Sequence, residues 1–149
     1  GKILGKPKSE AEAVEMLRKL SNNKHTVITG VCLLRAGDLG SISMFNVKTE
    51  VNFKRLREEQ IQHYVHEYKP LDKAGAYGAQ ETLSPGINPL SEKELYFLSS
   101  VNKPKLFQET LAIDQLKQVP IIASINGSYF NVMGLPLAEL WDELKNFAS

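Results

Sequence analysis

Two apolar runs close together in the chain constrain its fold most. Thr26 to Leu34 (TVITGVCLL) is apolar at almost every position, the pattern of a strand buried on both faces. Ala36 to Ser41, with two glycines, predicts a connecting loop. From Phe45 to Phe53 the residues alternate: Phe45, Val47, Val51 and Phe53 are expected inside, Asn46, Lys48, Glu50 and Asn52 outside. So short a connection predicts that the two strands pair antiparallel.

Helical patterns flank this pair. Ser9-Glu10-Ala11-Glu12 fits a capping box, and behind it Ala13, Val14, Leu17 and Leu20 share one face, with Glu15 and Lys19 paired at i,i+4. Ser21-Asn22-Asn23 supplies the stop. Arg57 to Tyr68 carries Ile61, Tyr64, Val65 and Tyr68 on a second helical stripe. His63 and His66 lie off that stripe among charged neighbours, which predicts a solvated face rather than a metal pair. Ile121 to Ile125 reads as a short strand, and Leu137 to Phe147 as a closing helix opened by Pro136, with Leu137, Leu140, Trp141 and Leu144 inward. Between Glu81 and Pro120 the character changes. Pro85-Gly86 and Asn88-Pro89 mark turns, Ser91 to Glu94 is another capping box, and Pro104 opens a further turn before Leu106, Phe107 and Leu111. This stretch reads as a mostly helical excursion whose Leu95, Phe97, Leu98, Leu106 and Phe107 need apolar cover, from its own domain or as a lid or partner surface.

Eighteen basic against seventeen acidic side chains give a formal charge of +1, too little for a general nucleic-acid or membrane-surface protein. A local basic pocket for a small anion stays open. No apolar segment reaches the ~20 residues of a membrane span, and the opening Gly-Lys-Ile-Leu-Gly-Lys-Pro is not a secretion signal. The single cysteine, Cys32, falls in the apolar run and is expected to be a buried thiol in a reducing, cytoplasmic setting.

Three stretches could carry chemistry. In Leu4-Gly5-Lys6-Pro7, Gly5 allows close backbone approach, and Lys6 sits by the positive end of a helix dipole, where an anion is favoured; taken alone, the stretch reads first as an ordinary solvated lysine beside a turn. Pro70 to Gln80 (PLDKAGAYGAQ) joins a cation, a carboxylate, two glycines, an aromatic and an amide. Lys73 could neutralise phosphate oxygens, and Asp72 could hold that lysine or approach a metal. The Ala74-Gly75-Ala76-Tyr77-Gly78 backbone could offer N–H groups, and Gln80, donor and acceptor at once, could read a pyrimidine edge. The structural reading is a glycine-rich turn with Tyr77 in the core. Gly127 to Pro136 (GSYFNVMGLP) reads as a shaped turn that seats Tyr129, Val132 and Leu135 in the core.

Taken in order, Leu4-Gly5-Lys6-Pro7, Thr29-Gly30-Val31, the Glu58 to Val65 pattern, Pro70 to Gln80 and Gly127 to Pro136 resemble the successive motifs of the Maf-type nucleoside triphosphate pyrophosphatases. The resemblance implies an α/β fold like that of the inosine triphosphatases, with an elongated mixed sheet flanked by helices. It implies that residues 1–149 form the C-terminal part of one such domain, with a mostly helical insertion at about 81–120. The implied activity cleaves a nucleoside triphosphate between its α and β phosphates with Mg²⁺ or Mn²⁺, and the Ala76-Tyr77-Gly78-x-Gln80 form resembles the branch that prefers dTTP and UTP. By position, Lys6 and Lys73 match lysines of the phosphate site, Gln80 a glutamine of base selectivity, and Gly75, Ala76 and Tyr77 the substrate-binding turn. The family's Ser-x-Ser-Pro-Arg-Arg loop and the Ala-Asp-Thr segment bearing its general base have no counterpart here. These 149 residues alone are therefore expected to be nearly inactive. A non-catalytic nucleotide- or partner-binding protein linked to cell-division control is the alternative, and a homodimer is what the resemblance suggests.

Overall fold

A computed structural model describes residues 1–103, 105 and 119–148. Helix α1 (Glu10–Leu20) begins where the polar cap predicts: Ser9 Oγ accepts the Glu12 N–H at 3.1 Å. Ala13, Val14, Leu17 and Leu20 are buried, with Met16 beside them. Glu15 pairs with Arg18 rather than with the expected Lys19. The same guanidinium also reaches Glu58 and so fastens α1 to α2 (Glu58–Tyr68), where Ile61, Tyr64 and Val65 are buried as their spacing predicts.

Strands β1 (Lys24–Arg35) and β2 (Asp38–Phe53) form the expected antiparallel hairpin, with Val31 opposite Phe45 and Leu34 opposite Ile42. It is longer than its sequence suggested. The loop expected over Ala36 to Ser41 shrinks to a tight turn with Gly37 at φ 81°, and β2 starts at Asp38 rather than Phe45. The expectation that Thr26 to Leu34 is buried on both faces is also corrected. Along β1 exposed residues alternate with half-buried ones, and Ile28, Cys32 and Leu34 share an open face with Ile42 and Met44. The correction extends to Cys32, expected to be buried and in fact exposed. The described helices cover one face of the hairpin, and an apolar run alone cannot reveal how many faces have a partner.

Strand β3 (Ile122–Asn126) pairs antiparallel with the other side of β2, giving the order β1-β2-β3, and Leu83 adds an isolated parallel bridge to Ile122. The α/β class is thus as expected. Leu17, Val51, Phe53, Tyr64, Ile122 and Tyr129 are among the buried side chains that join sheet and helices in one core.

Short α3 (Ala79–Thr82) precedes α4 (Glu92–Ser100), whose capping box is formed as its sequence predicts, Ser91 Oγ accepting from Glu94 N–H and the Glu94 carboxylate from Ser91 N–H. Residues 81–84 and 119–122 lie side by side, joined by Val119 N–H to Glu81 O and Ile121 N–H to Thr82 O. Within the excursion Leu98 is buried and Phe97 packs edge-on to Phe130 and Trp141. Pro104, Leu106, Phe107 and Leu111 lie outside the described residues. After β3 come α5 (Tyr129–Met133) and α6 (Leu137–Ala148). The inward face of α6 is corrected too: Ala138 is its buried residue, while Leu137, Trp141 and Leu144 stay about 40% exposed. The helix meets the hairpin through Glu143, which accepts the Ser43 hydroxyl at 2.6 Å, and through the Phe147 carbonyl, which accepts from Arg35. No helix of the described residues is long and apolar enough to cross a membrane.

Candidate functional site

The Pro70 to Gln80 run and the Gly127 to Pro136 run, far apart in sequence, form facing walls of one cavity of about 620 Å³. Val27 and Thr29 of β1 line it as well. The volume suits a ligand of nucleotide size.

The first wall carries the charged groups. Asp72, Lys73, Tyr77, Gln80 and Glu81 line the cavity, with Lys73 Nζ 3.4 Å from Asp72 Oδ1. Lys73 and Gln80 therefore share a hollow. Tyr77 is nine-tenths buried, and its hydroxyl lies 2.7 Å from His25 Nε2, with Phe53 edge-on to both rings. Burial lowers the His25 pKa and raises that of Tyr77, so both groups are held neutral. Gly75 and Ala76 lie behind the wall and do not line the cavity. Their N–H groups are engaged within the fold, Gly75 on Gly5 O at 3.1 Å and Ala76 on Lys73 O at 3.1 Å, and the Gly78 N–H donates to Tyr64 Oη at 2.9 Å. The expected row of ligand-facing backbone donors is corrected at these three positions. Ala76 holds φ 62°, a left-handed conformation that costs a non-glycine residue energy and here shapes the turn. Lys6 is exposed and lies outside the cavity lining, though its neighbour Gly5 is tied to Gly75.

The second wall is neutral. Asn131, Val132, Met133 and Gly134 line the cavity, and a buried network behind them keeps the chain in place. Glu94 is fully buried, and its carboxylate accepts from Ser128 Oγ at 2.8 Å and from the N–H groups of Tyr129 and Phe130 at 2.9 and 2.8 Å. A buried carboxylate is tolerated where donors surround it so completely. Asn131 Nδ2 reaches Val27 O, Val47 O and Thr49 Oγ1, all within 3.2 Å, stitching the wall to both hairpin strands. Gly127, at φ 120°, lets the turn press against β2, since a Cβ there would lie 3.1 Å from Lys48 O. Tyr129 is buried as expected, whereas Leu135, expected inside, is 47% exposed.

Sequence reasoning missed three participants. Glu81 follows the recognised run by one residue, and Glu94 was legible only as a local cap. Asn131 was visible in its motif, but nothing in the letters placed it in one cavity with Gln80. His63 and His66 are solvent-exposed as expected, and among the described residues no three His, Cys, Asp or Glu side chains cluster as metal ligands.

Fold and cavity define an α/β protein in which a lysine, a glutamine and two carboxylates face a neutral, tightly held turn. The chain belongs to the Maf family: the family model described as "Maf-like protein" matches residues 2–97. Among curated relatives it is 39% identical over 145 residues to the dTTP/UTP pyrophosphatase of Phocaeicola vulgatus, covering 97% of this chain and 56% of that protein. The figures for the dTTP/UTP pyrophosphatase of Bacteroides thetaiotaomicron are 38% over 145 residues, with 97% and 56% covered. For that of Thermosipho melanesiensis they are 37% over 143 residues, with 96% and 58% covered. The chain thus spans a little over half the length of these relatives.

Proposed function

We propose that this chain forms the base-reading and part of the phosphate-binding half of a dTTP/UTP pyrophosphatase site. The observation that carries the reading is that Lys73 and Gln80 line one cavity of nucleotide size. In this reading Lys73 stabilises negative charge on the phosphates, and the amide of Gln80 pairs with the donor and acceptor edge of uracil or thymine. Water adds to the α-phosphorus as the bond from that phosphorus to the bridging oxygen breaks, yielding nucleoside monophosphate and pyrophosphate. The developing charge is spread over phosphate oxygens, so positioned cations matter more than covalent chemistry.

The donor set bears on the metal. The cavity lining carries one cation, Lys73, against two carboxylates, Asp72 and Glu81, which is a poor match to a triphosphate by itself. It does suit a hard divalent ion shared with substrate, since Mg²⁺ is commonly held by one or two carboxylates together with phosphates. Asp72, at the exposed rim, is the residue that would contact Mg²⁺ or Mn²⁺. Such an ion supplies charge neutralisation and activation of water. Lys6 stands outside the lining, and its assignment to the phosphate site rests on the family resemblance alone.

The general base and arginine-rich loop implied by the resemblance have no counterpart in these 149 residues. The chain alone is therefore expected to bind nucleotide and to turn it over negligibly. The test measures pyrophosphate release from dTTP and UTP with Mg²⁺ or Mn²⁺, alongside equilibrium binding of both nucleotides. Binding without release is expected. Robust turnover would refute the division of labour, and failure to bind either nucleotide at millimolar concentration would refute the site. A cytoplasmic location and a homodimer belong to the same proposal, and a sedimentation experiment addresses the second.

A further inference from the structure

We infer that Tyr64 and Glu81 are positioning residues for Gln80, setting the base preference of the cavity through a single phenol oxygen; the inference rests on the nucleotide reading above. Tyr64 is fully buried in α2 and stacks on Tyr68 with ring centroids 5.1 Å apart, so its hydroxyl has one place to be. That oxygen accepts the Gly78 N–H at 2.9 Å and donates to Glu81 Oε1 at 2.9 Å. Gly78 and Glu81 bracket Ala79 and Gln80, so the residues on both sides of the amide are fastened to the same atom. Thr82 Oγ1, donating to Gly78 O at 2.5 Å, closes the short turn around them. The main chain of Glu81 is held in addition by Val119 N–H at 2.8 Å.

Position 78 shows how tightly the bracket is drawn. A Cβ there would overlap the Glu81 carboxylate, so any other residue would push that carboxylate from its present place beside the phenol. Burial raises the Tyr64 pKa, which keeps its proton available for donation. Discrimination by an amide depends on placement, because a displaced amide no longer leaves the wrong base with unmatched polar groups. The bracket therefore governs selectivity through the placement of Gln80.

The experiment titrates UTP, CTP and inorganic tripolyphosphate against a fluorescent UTP analogue bound to the intact 149-residue chain and to its variants. The UTP-to-CTP affinity ratio is expected to fall about tenfold in Tyr64→Phe and in Glu81→Ala. Tripolyphosphate, which has no base, should bind to Tyr64→Phe as before. Glu81→Gln should keep the ratio, because its carbonyl can still accept from Tyr64. Faster hydrogen exchange at the Gly78 amide in Tyr64→Phe reports the broken bracket directly. An unchanged ratio in Tyr64→Phe and Glu81→Ala would overturn the inference, and so would a collapse of the ratio in Glu81→Gln, which would place that carboxylate on the ligand itself. If the unaltered chain binds neither UTP nor CTP, the site reading falls and takes this inference with it. A base preference that no variant shifts sinks the inference alone.

Discussion

The two walls of the cavity are held by different means. The wall from Asp72 to Glu81 turns charged and amide groups outward and is fastened at a few points: Gly75 to Gly5, Gly78 to Tyr64, Tyr77 to His25. The wall from Asn131 to Gly134 presents no charge and is anchored by Glu94 and Asn131 in a buried network. One wall carries chemistry on exposed side chains set on a turn held by single hydrogen bonds, while the other supplies shape on a turn held by a buried carboxylate and amide. Substitutions on the first should therefore change binding before stability, and substitutions behind the second the reverse.

The sharpest way to break this contrast is Glu94→Ala. Removing the carboxylate leaves the Ser128 hydroxyl and two backbone N–H groups buried without an acceptor, so unfolding free energy should fall by about 3 kcal/mol, read from urea denaturation. A loss below about 1 kcal/mol would show that the second wall does not depend on its buried anchor. On the other wall, Lys73→Met should weaken UTP binding about tenfold, the value of one partly screened charge contact, with a melting temperature within a degree or two. A large drop in melting temperature would erase the distinction between the walls.

A smaller effect concerns the tie behind Tyr77. The His25 pKa lies below its ordinary value because the ring is buried, so the folded protein favours the neutral imidazole. The unfolded chain then binds more protons below about pH 6.5, and stability is full above that pH and declines as pH falls toward the folded-state pKa. His25→Gln should flatten the decline, and an NMR titration of His25 at or above the ordinary imidazole value would contradict the account. The smallest effect is expected on the open face of the hairpin, where Cys32→Ser should shift stability by no more than about 0.5 kcal/mol. A larger loss would mean that this face is covered in solution.

Much of this was legible in the sequence because local physics dictates it. Ser9 and Ser91 cap helices where their side chains satisfy free N–H groups, and the alternation from Phe45 to Phe53 predicts which residues point inward. What escaped depends on contacts between distant segments. Thr26 to Leu34 looked doubly buried because an apolar run carries no record of how many layers pack on it. Leu137, Trp141 and Leu144 formed a convincing stripe, yet each stays about 40% exposed and Ala138 is the residue that α6 buries. In the site, the Pro70 to Gln80 run announced Lys73 and Gln80 by composition. The backbone donors of Gly75, Ala76 and Gly78 were taken by Gly5, Lys73 and Tyr64, none of which the run itself predicts as acceptors.

The anchoring of the second wall has a consequence for how the protein is made. Glu94 meets partners 34 to 36 residues further along, and Asn131 bonds to Val27 across 104 residues. Closing such long loops is entropically slow and cannot begin before both ends have been synthesised. On a ribosome the hairpin and first two helices can emerge and associate early, but the hollow between them stays one-sided until translation has passed Gly134. A nascent chain arrested before that point would hold Lys73 and Gln80 with nothing opposite them.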